Sequence, residues 1–403
     1  MSHVVVLGAG QAGSSLCAKL RNLGFDGQIT LIGAEPVPPY QRPPLSKAYL
    51  LGEMDKERLF LRPESFYADQ DITLRLGAEV SRILPAEKVI TVEGEDISYD
   101  QLALTTGSVP RHLPAAIGGN LEGVHVVRTL ADVDRMADDF QPGRKCLVVG
   151  GGYIGLEAAA VARKMGVEVT LVEMSDRILQ RVAAPQTSDY FRALHTAHGV
   201  DIREGTGLAR LLGDTRVSGA EFADGAILDV DFVIVGIGIA PSDALAHEAG
   251  LVIDNGIQTD AHGRTSDPNI WAAGDCASFP WKGGRIRLES VQNAIDQAEL
   301  VAENMLGAGK DYEPQPWFWS DQYDVKLQIA GLNTGYDRVI ARPGDAKGSC
   351  SFWYYAGATL LAVDAMNAPR DYMIGKRLIE AGKSPPPETI ADPGTDMKGL
   401  LRL

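Results

Sequence analysis

One pattern, written twice, constrains this chain more than any other. The first copy runs Val4-Val5-Val6-Leu7-Gly8-Ala9-Gly10-Gln11-Ala12-Gly13. A helical pattern to Leu23 and an apolar strand at Gln28-Ile29-Thr30-Leu31-Ile32 follow it. The second runs Cys146-Leu147-Val148-Val149-Gly150-Gly151-Gly152-Tyr153-Ile154-Gly155, before an Ala-rich helix to Met165 and a strand at Val167-Glu168-Val169-Thr170-Leu171-Val172. Each copy is buried strand, G-x-G-x-x-G, helix, strand. The first Gly permits a tight turn, and the second lets the backbone approach a pyrophosphate. The third allows close helix–strand packing, and the helix N-terminus faces the phosphates. A lone G-x-G-x-x-G carries little weight. Two copies, each directly after a buried strand and opening a helix, read as two βαβ dinucleotide-binding domains in one chain.

The strand closing the second copy ends at Glu173. A carboxylate there suits an adenosine ribose and repels a 2′-phosphate, so NADH is expected over NADPH, with Arg177 nearby acting in the opposite sense. In the first copy that strand end carries Gly33, and Glu35 comes two residues later. Two readings of Glu35 stand: a bent loop carries it to a ribose, or it is a solvated loop charge.

Three more segments read as buried strands running into turns: Leu102-Ala103-Leu104-Thr105-Thr106-Gly107-Ser108, the apolar run from Phe232 to Pro241, and Asn269-Ile270-Trp271-Ala272-Ala273-Gly274-Asp275. Their order predicts an α/β chain whose first domain, residues 1-110 and 242-310, is split by a second, 111-241. From residue 311 to 403 the segments are short and alternating and hold three of the five Trp: Trp317, Trp319 and Trp353. A small C-terminal α+β domain is expected there.

Composition sets limits on function. The net charge is −15 over 403 residues, which argues against nonspecific nucleic-acid or anionic-membrane binding. The apolar run 232–240 is too short to span a bilayer, and the first strand starts too early to leave room for a targeting peptide, so a cytoplasmic location is expected. The four cysteines, Cys17, Cys146, Cys276 and Cys350, stand apart without metal-ligand spacing, and each reads as small buried apolar filler.

With the segment Arg42-Pro43-Pro44-Leu45-Ser46-Lys47, the two glycine motifs and the Gly274-Asp275 strand end, the chain resembles the glutathione-reductase-like flavoproteins. More narrowly it is similar to the NADH-dependent ferredoxin reductases of the putidaredoxin reductase type. Gly150 to Glu157, Glu289-Ser290-Val291 and Trp317-Phe318-Trp319-Ser320-Asp321-Gln322-Tyr323 extend that likeness over nearly the whole chain. The resemblance implies FAD in the first domain, NADH in the second, and a C-terminal domain that helps receive a 2Fe-2S ferredoxin feeding a haem monooxygenase or ring-hydroxylating dioxygenase. Disulfide reductases and NADH oxidases of this fold carry cysteine where this chain has Pro43-Pro44-Leu45-Ser46-Lys47, so electrons are expected to leave the flavin without a thiol relay.

The same resemblance assigns residues. Gly8, Gly10, Ala12 and Gly13 would cradle the FAD pyrophosphate, and Arg42, Val80, Arg128, Gly274, Asp275 and Val291 match FAD positions. For the two valines core packing is a rival reading, and for Asp275 a turn-forming role is. Lys47 would lie near the flavin ring; otherwise it is a helix-surface lysine. Gly150, Gly152, Ile154, Gly155 and Glu173 would bind NADH, with Gly236 and Gly238 letting the nicotinamide ribose approach. Glu157, otherwise a charge complementing the helix dipole, would pair with Lys47 to orient the nicotinamide. Trp319 would cover flavin or meet the partner, or is an interface core aromatic. Residues 311–403 carry 10 basic and 12 acidic residues, a less negative balance than the rest. Lys282, Arg285 and Arg287, with Arg338 or Lys376-Arg377, are the expected docking cations, and a monomer is expected. Rival functions are a rubredoxin reductase or NADH oxidase of the same fold, or a non-enzymatic FAD/NAD-sensing protein.

Overall fold

The structure, a computed structural model, describes residues 2–402 and divides into two compact units. One holds the chain up to Gln41, Asp55–Val109 and Ile239–Pro314. The other holds Arg42–Met54, Pro110–Gly238 and the chain from Gln315 onward.

Each unit is built on a five-stranded parallel sheet with a glycine-motif strand at its centre. In the first, His3–Leu7 lies between Gln28–Gly33 and Gln101–Leu104, with Ile72–Leu76 and Ile270–Ala272 at the edges. In the second, Lys145–Val149 lies between Glu168–Val172 and Phe232–Val235, with Asp201–Arg203 and Val124–His125 outside. Strands such as Val4-Val5-Val6-Leu7 and Phe232-Val233-Ile234-Val235 are buried throughout, as strands covered on both faces must be. The chain leaves each central strand toward one neighbour and returns on the other side. That reversal opens a crevice at the carboxyl end of the central strand, where the glycine loop sits.

The C-terminal residues form an all-antiparallel sheet ordered Trp317–Gln322, Val325–Gly331, Thr359–Met366, Cys350–Ala356, Arg338–Pro343, with helix Pro369–Glu380 packed on it. This sheet belongs to the same unit as residues 110–238, whereas the sequence suggests a separate body from residue 311. Residues 42–54 also differ, since the sequence reading leaves them in the first domain. The reason is packing: the helical turn Leu45–Tyr49 and the strand Trp317–Gln322 both lie against helix Tyr153–Lys164.

A buried carboxylate ties the sheet to the start of helix Pro185–Ala197 within the same unit. Asp364, 1% exposed, accepts hydrogen bonds from Thr187 Oγ1 (2.7 Å) and the Tyr354 hydroxyl, while Ala184 N–H donates to that hydroxyl (3.1 Å). Burial pushes the Asp364 carboxyl up to about 6, against the two hydrogen bonds that favour the ionised form. A raised folded-state value means that its contribution is present below about pH 4 and is lost as pH rises through 6. Asp364→Asn is therefore expected to gain about 3 kcal/mol on the native protein between pH 4 and pH 7, read as the change in unfolding free energy difference by denaturant titration. Parallel pH profiles for the two proteins would count against this.

Candidate functional site

The two glycine loops share one geometry. Gly8 (φ +116°) and Gly150 (φ +109°) occupy the left-handed region, and a Cβ there would stand 2.2 Å from Thr105 O and 2.4 Å from Gly236 O respectively. A Cβ on Gly13 or Gly155 would stand 2.1 Å from the carbonyl oxygen of Gly8 or Gly150. A Cβ on Gly10 or Gly152 would meet no protein atom within 4 Å. Protein thus fills the space around the first and third glycines, and open space faces the second.

Gly10 and Gly152 are also the N-caps of helices Gln11–Asn22 and Tyr153–Lys164, and neither helix has a capping side chain or an acid in its first turn. Thr129 caps Leu130–Met136 and Ser290 caps Val291–Met305, while Pro185–Ala197, also without a capping side chain or first-turn acid, opens on a proline that has no N–H. The leading N–H groups of the two helices that start at Gly10 and Gly152 need an acceptor, and a phosphate supplies one. Both loops therefore fit a dinucleotide.

In the first unit, Thr105 Oγ1 donates to Gly8 O (2.9 Å) and locks the first turn. Gly274 (φ +82°) comes against Ala12, with 3.1 Å between the Ala12 Cβ and a Cβ built on the glycine. Its N–H donates to Gln297 Oε1 (2.9 Å), and Ser108 Oγ donates to Asp275 Oδ2 (2.8 Å). The Gly274-Asp275 turn is thereby held beside the first glycine loop. The half-buried Glu35 accepts the Tyr40 hydroxyl (2.6 Å), so it is an anchored group and not a freely solvated charge. Val80 lies in an apolar cluster with Ile83, Ile90 and Val92, which favours packing as its role. Val291 is the first, half-buried residue of its helix.

In the second unit, Glu173 folds back on the loop and accepts Gly151 N–H and Ser175 N–H, both at 2.8 Å. Arg177 donates to Ser188 Oγ (2.5 Å) and to Gln180 O (3.4 Å), which commits it to its own surroundings. Gly236 packs on Gly155, and Arg111 N–H donates to Gly238 O (2.9 Å). Ile154 stays 41% exposed at the helix start.

The structure also brings together Lys47 and Glu157. The turn Leu45–Tyr49 is wound with i→i+5 bonds, Tyr49 N–H to Pro44 O (3.0 Å) and Leu50 N–H to Leu45 O (3.2 Å). Its backbone leaves helical geometry at Lys47 (φ −130°, ψ −107°), a type of irregularity that gathers at functional sites. Lys47 Nζ stands 3.0 Å from Glu157 Oε1, and Ser320 Oγ donates to the same oxygen at 2.7 Å. Burial pushes the Glu157 carboxyl above its usual range, and Lys47 and Ser320 work against that rise. Arg42 Nη1 donates to Arg128 O (2.7 Å), which pairs two more of the expected residues. Trp319 is not drawn to the ion pair: it tilts on Trp317 (5.6 Å, 31°), on the strand face opposite Ser320. Ser320 and Thr105 lie within segments that stand out in the sequence, but nothing there gives either a role, and Gln297 lies in no such segment.

Two expectations are corrected. Arg285 donates to Thr259 O (2.7 Å) and Ser278 O, and Arg287 to Asp275 O (3.1 Å) with Glu289 at 2.5 Å. Both guanidinium groups are engaged within their own unit, where the sequence suggests free surface charges; Lys282 lies over the Trp281 ring. Among the cysteines, Cys17, Cys146 and Cys276 are buried as expected, but Cys350 is half-buried. Burial pushes the Cys17 thiol up to about 12, and partial burial pushes the Cys350 thiol up to about 11. Among the described residues no group of His, Cys, Asp and Glu is arranged to hold a metal, and no helix is long and apolar enough to cross a membrane.

Two uncapped dinucleotide loops in one chain, with a lysine–glutamate pair against the second helix, define a two-dinucleotide oxidoreductase. Residues 2–298 match the pyridine nucleotide-disulphide oxidoreductase family, and residues 317–401 match the reductase C-terminal family. The chain belongs to the pyridine nucleotide-disulphide oxidoreductases. It is 44% identical to rhodocoxin reductase of Rhodococcus erythropolis over 98% of this chain and 93% of that protein. It is 36% identical to the ferredoxin--NAD(+) reductase component of the p-cumate 2,3-dioxygenase system of Pseudomonas putida, over 98% and 97%. Its fold matches the reductase in the covalent putidaredoxin reductase–putidaredoxin complex with a TM-score of 0.95 at 39% identity, covering 100% of this chain and 98% of that one.

Proposed function

We propose that this protein is the NADH-dependent, FAD-containing reductase of a 2Fe-2S ferredoxin that supplies a haem monooxygenase or ring-hydroxylating dioxygenase in the cytoplasm. The observation that carries the reading is the Lys47–Glu157 pair, which joins the turn Leu45–Tyr49 to the helix rising from the second glycine loop, in a chain whose described cysteines form no pair. Bound FAD supplies the exchange between a hydride donor and one-electron acceptors. One NADH gives up a hydride, two ferredoxins each take one electron, and one proton is released.

The chain's own residues bind and orient. Gly8, Gly10, Ala12 and Gly13 with the free N–H groups of helix Gln11–Asn22 take the FAD pyrophosphate, and Gly274 and Asp275 close that loop on one side. Arg42, Arg128 and Glu35 serve FAD as well. Gly150, Gly152, Ile154 and Gly155 take the NADH pyrophosphate, Glu173 the adenosine ribose, and Gly236 and Gly238 leave room for the nicotinamide ribose. Glu157 accepts a nicotinamide carboxamide N–H, and Lys47 holds Glu157 and lends positive charge to the redox centre. An acidic ferredoxin meets exposed cations such as Arg338 and Arg377, in a weak and salt-sensitive encounter.

Cofactor choice tests this reading. With Glu173 at the ribose end and Arg177 committed to Ser188, kcat/KM for NADH is expected to exceed that for NADPH by roughly a hundredfold or more. In Glu173→Ala the NADH value falls about tenfold, through KM, and the preference shrinks. Equal use of the two dinucleotides by the natural protein, or no effect of the substitution, would contradict the assignment.

A further inference from the structure

We propose that Ser320, Gln322 and His195 form a positioning chain that holds Glu157 ionised and fixed, which makes the first strand of the C-terminal sheet part of the hydride-transfer machinery. The proposal rests on the role given above to the Lys47–Glu157 pair.

The hydrogen bonds run in one direction. Ser320 Oγ donates to Glu157 Oε1 (2.7 Å), and Gln322 Nε2 donates to Ser320 Oγ (3.1 Å). His195 Nε2 lies 2.7 Å from Gln322 Oε1. An amide oxygen only accepts, so the imidazole carries its proton on Nε2. Its Nδ1 is left as an acceptor facing the Tyr323 hydroxyl at 3.3 Å. Every member thus presents its positive end toward Glu157, where Lys47 Nζ adds a second donor to the same oxygen (3.0 Å). Aligned hydrogen bonds of this kind strengthen one another in a low-dielectric interior. The Gln322 amide passes no proton, so the chain holds a charge and does not conduct one.

The chain lies wholly inside the protein. Ser320, Gln322 and His195 are each 0% exposed, and Glu157 is 8% exposed. Apolar residues would fill the same strand face, as Phe318 does against Tyr153 (5.1 Å between rings), without needing partners. Three fully buried polar side chains in series end instead on one carboxylate. Burial keeps His195 neutral by lowering its basicity to about 4, so Nδ1 stays an acceptor for the Tyr323 hydroxyl. The charged groups that act on Glu157 are Lys47 from the turn Leu45–Tyr49, in contact, and Asp321 from the strand, whose charge opposes ionisation. His195 is faced by His198 and Tyr323, whose rings stack at 3.6 Å.

The test uses the FAD-loaded protein with Ser320→Ala, and Gln322→Met as a second variant should the first not fold. Without the serine donor Glu157 ionises only at higher pH. NADH-driven flavin reduction in anaerobic stopped flow is therefore expected to fall about five- to tenfold near pH 6, with the deficit shrinking toward pH 9. Independently of turnover, infrared titration of the oxidised, NADH-free protein is expected to show the protonated-carboxyl band of Glu157, identified by its loss in Glu157→Gln, persisting to higher pH in the variant. A folded variant with natural pH profile and infrared titration, beside a Glu157→Gln protein that is slow, overturns the chain. A Glu157→Gln protein that reduces flavin at the natural rate overturns the role of the pair itself, and the proposal with it.

Discussion

Alanine at Gly10 is expected to give a folded protein that purifies largely without FAD, and alanine at Gly152 a yellow protein with about a hundredfold higher KM for NADH. The contrast follows from the loops. A Cβ at either position meets no protein atom within 4 Å, so the native fold accommodates the methyl group. Both positions are N-caps of helices whose leading N–H groups have no side-chain partner. The methyl group therefore intrudes on the ligand's space and lifts the phosphates off those N–H groups. Alanine at Gly13 or Gly155 acts differently, because its Cβ would lie 2.1 Å from a backbone oxygen and the turn itself would have to shift. Flavin content from visible absorbance, thermal unfolding and NADH kinetics separate the cases. Natural FAD content in Gly10→Ala, or natural KM in Gly152→Ala, would contradict the assignment of the loops.

The second large effect is at Glu157. Glutamine keeps the size of the side chain and can still accept from Ser320, but it removes the counter-charge of Lys47, whose side chain is only 19% exposed. The rate constant of NADH-driven flavin reduction is expected to fall about 10–100-fold, with FAD content unchanged. A rate within twofold of the natural protein would show that the ion pair is only structural.

The local features were legible in the sequence. A glycine turn after a buried strand is specified within about ten residues, and both copies have the geometry that the motif requires. The Lys47–Glu157 pair is legible only through the family resemblance, since nothing in spacing joins positions so far apart. Two kinds of information were hidden. One is tertiary placement: residues 42–54 pack on helix Tyr153–Lys164, and Ser320 reaches Glu157 across 163 positions in the chain. The other is what a charge does once folded. Arg285 and Arg287 look like a basic surface patch, yet their guanidinium groups serve backbone carbonyls of their own unit. Glu35 follows a departure from the usual strand end, and only the fold shows its bond to Tyr40.

Electron passage from NADH through bound FAD to a 2Fe-2S ferredoxin is resolved by rapid mixing. The FAD-loaded protein is mixed anaerobically with NADH in a stopped-flow spectrometer, with and without an oxidised 2Fe-2S ferredoxin and cytochrome c as final acceptor, at low and high ionic strength. The expected result is rapid flavin bleaching by NADH, cytochrome reduction that depends on ferredoxin, and loss of that coupled rate as salt increases. Bleaching without ferredoxin-dependent onward transfer, or bleaching no faster with NADH than with NADPH, would contradict it.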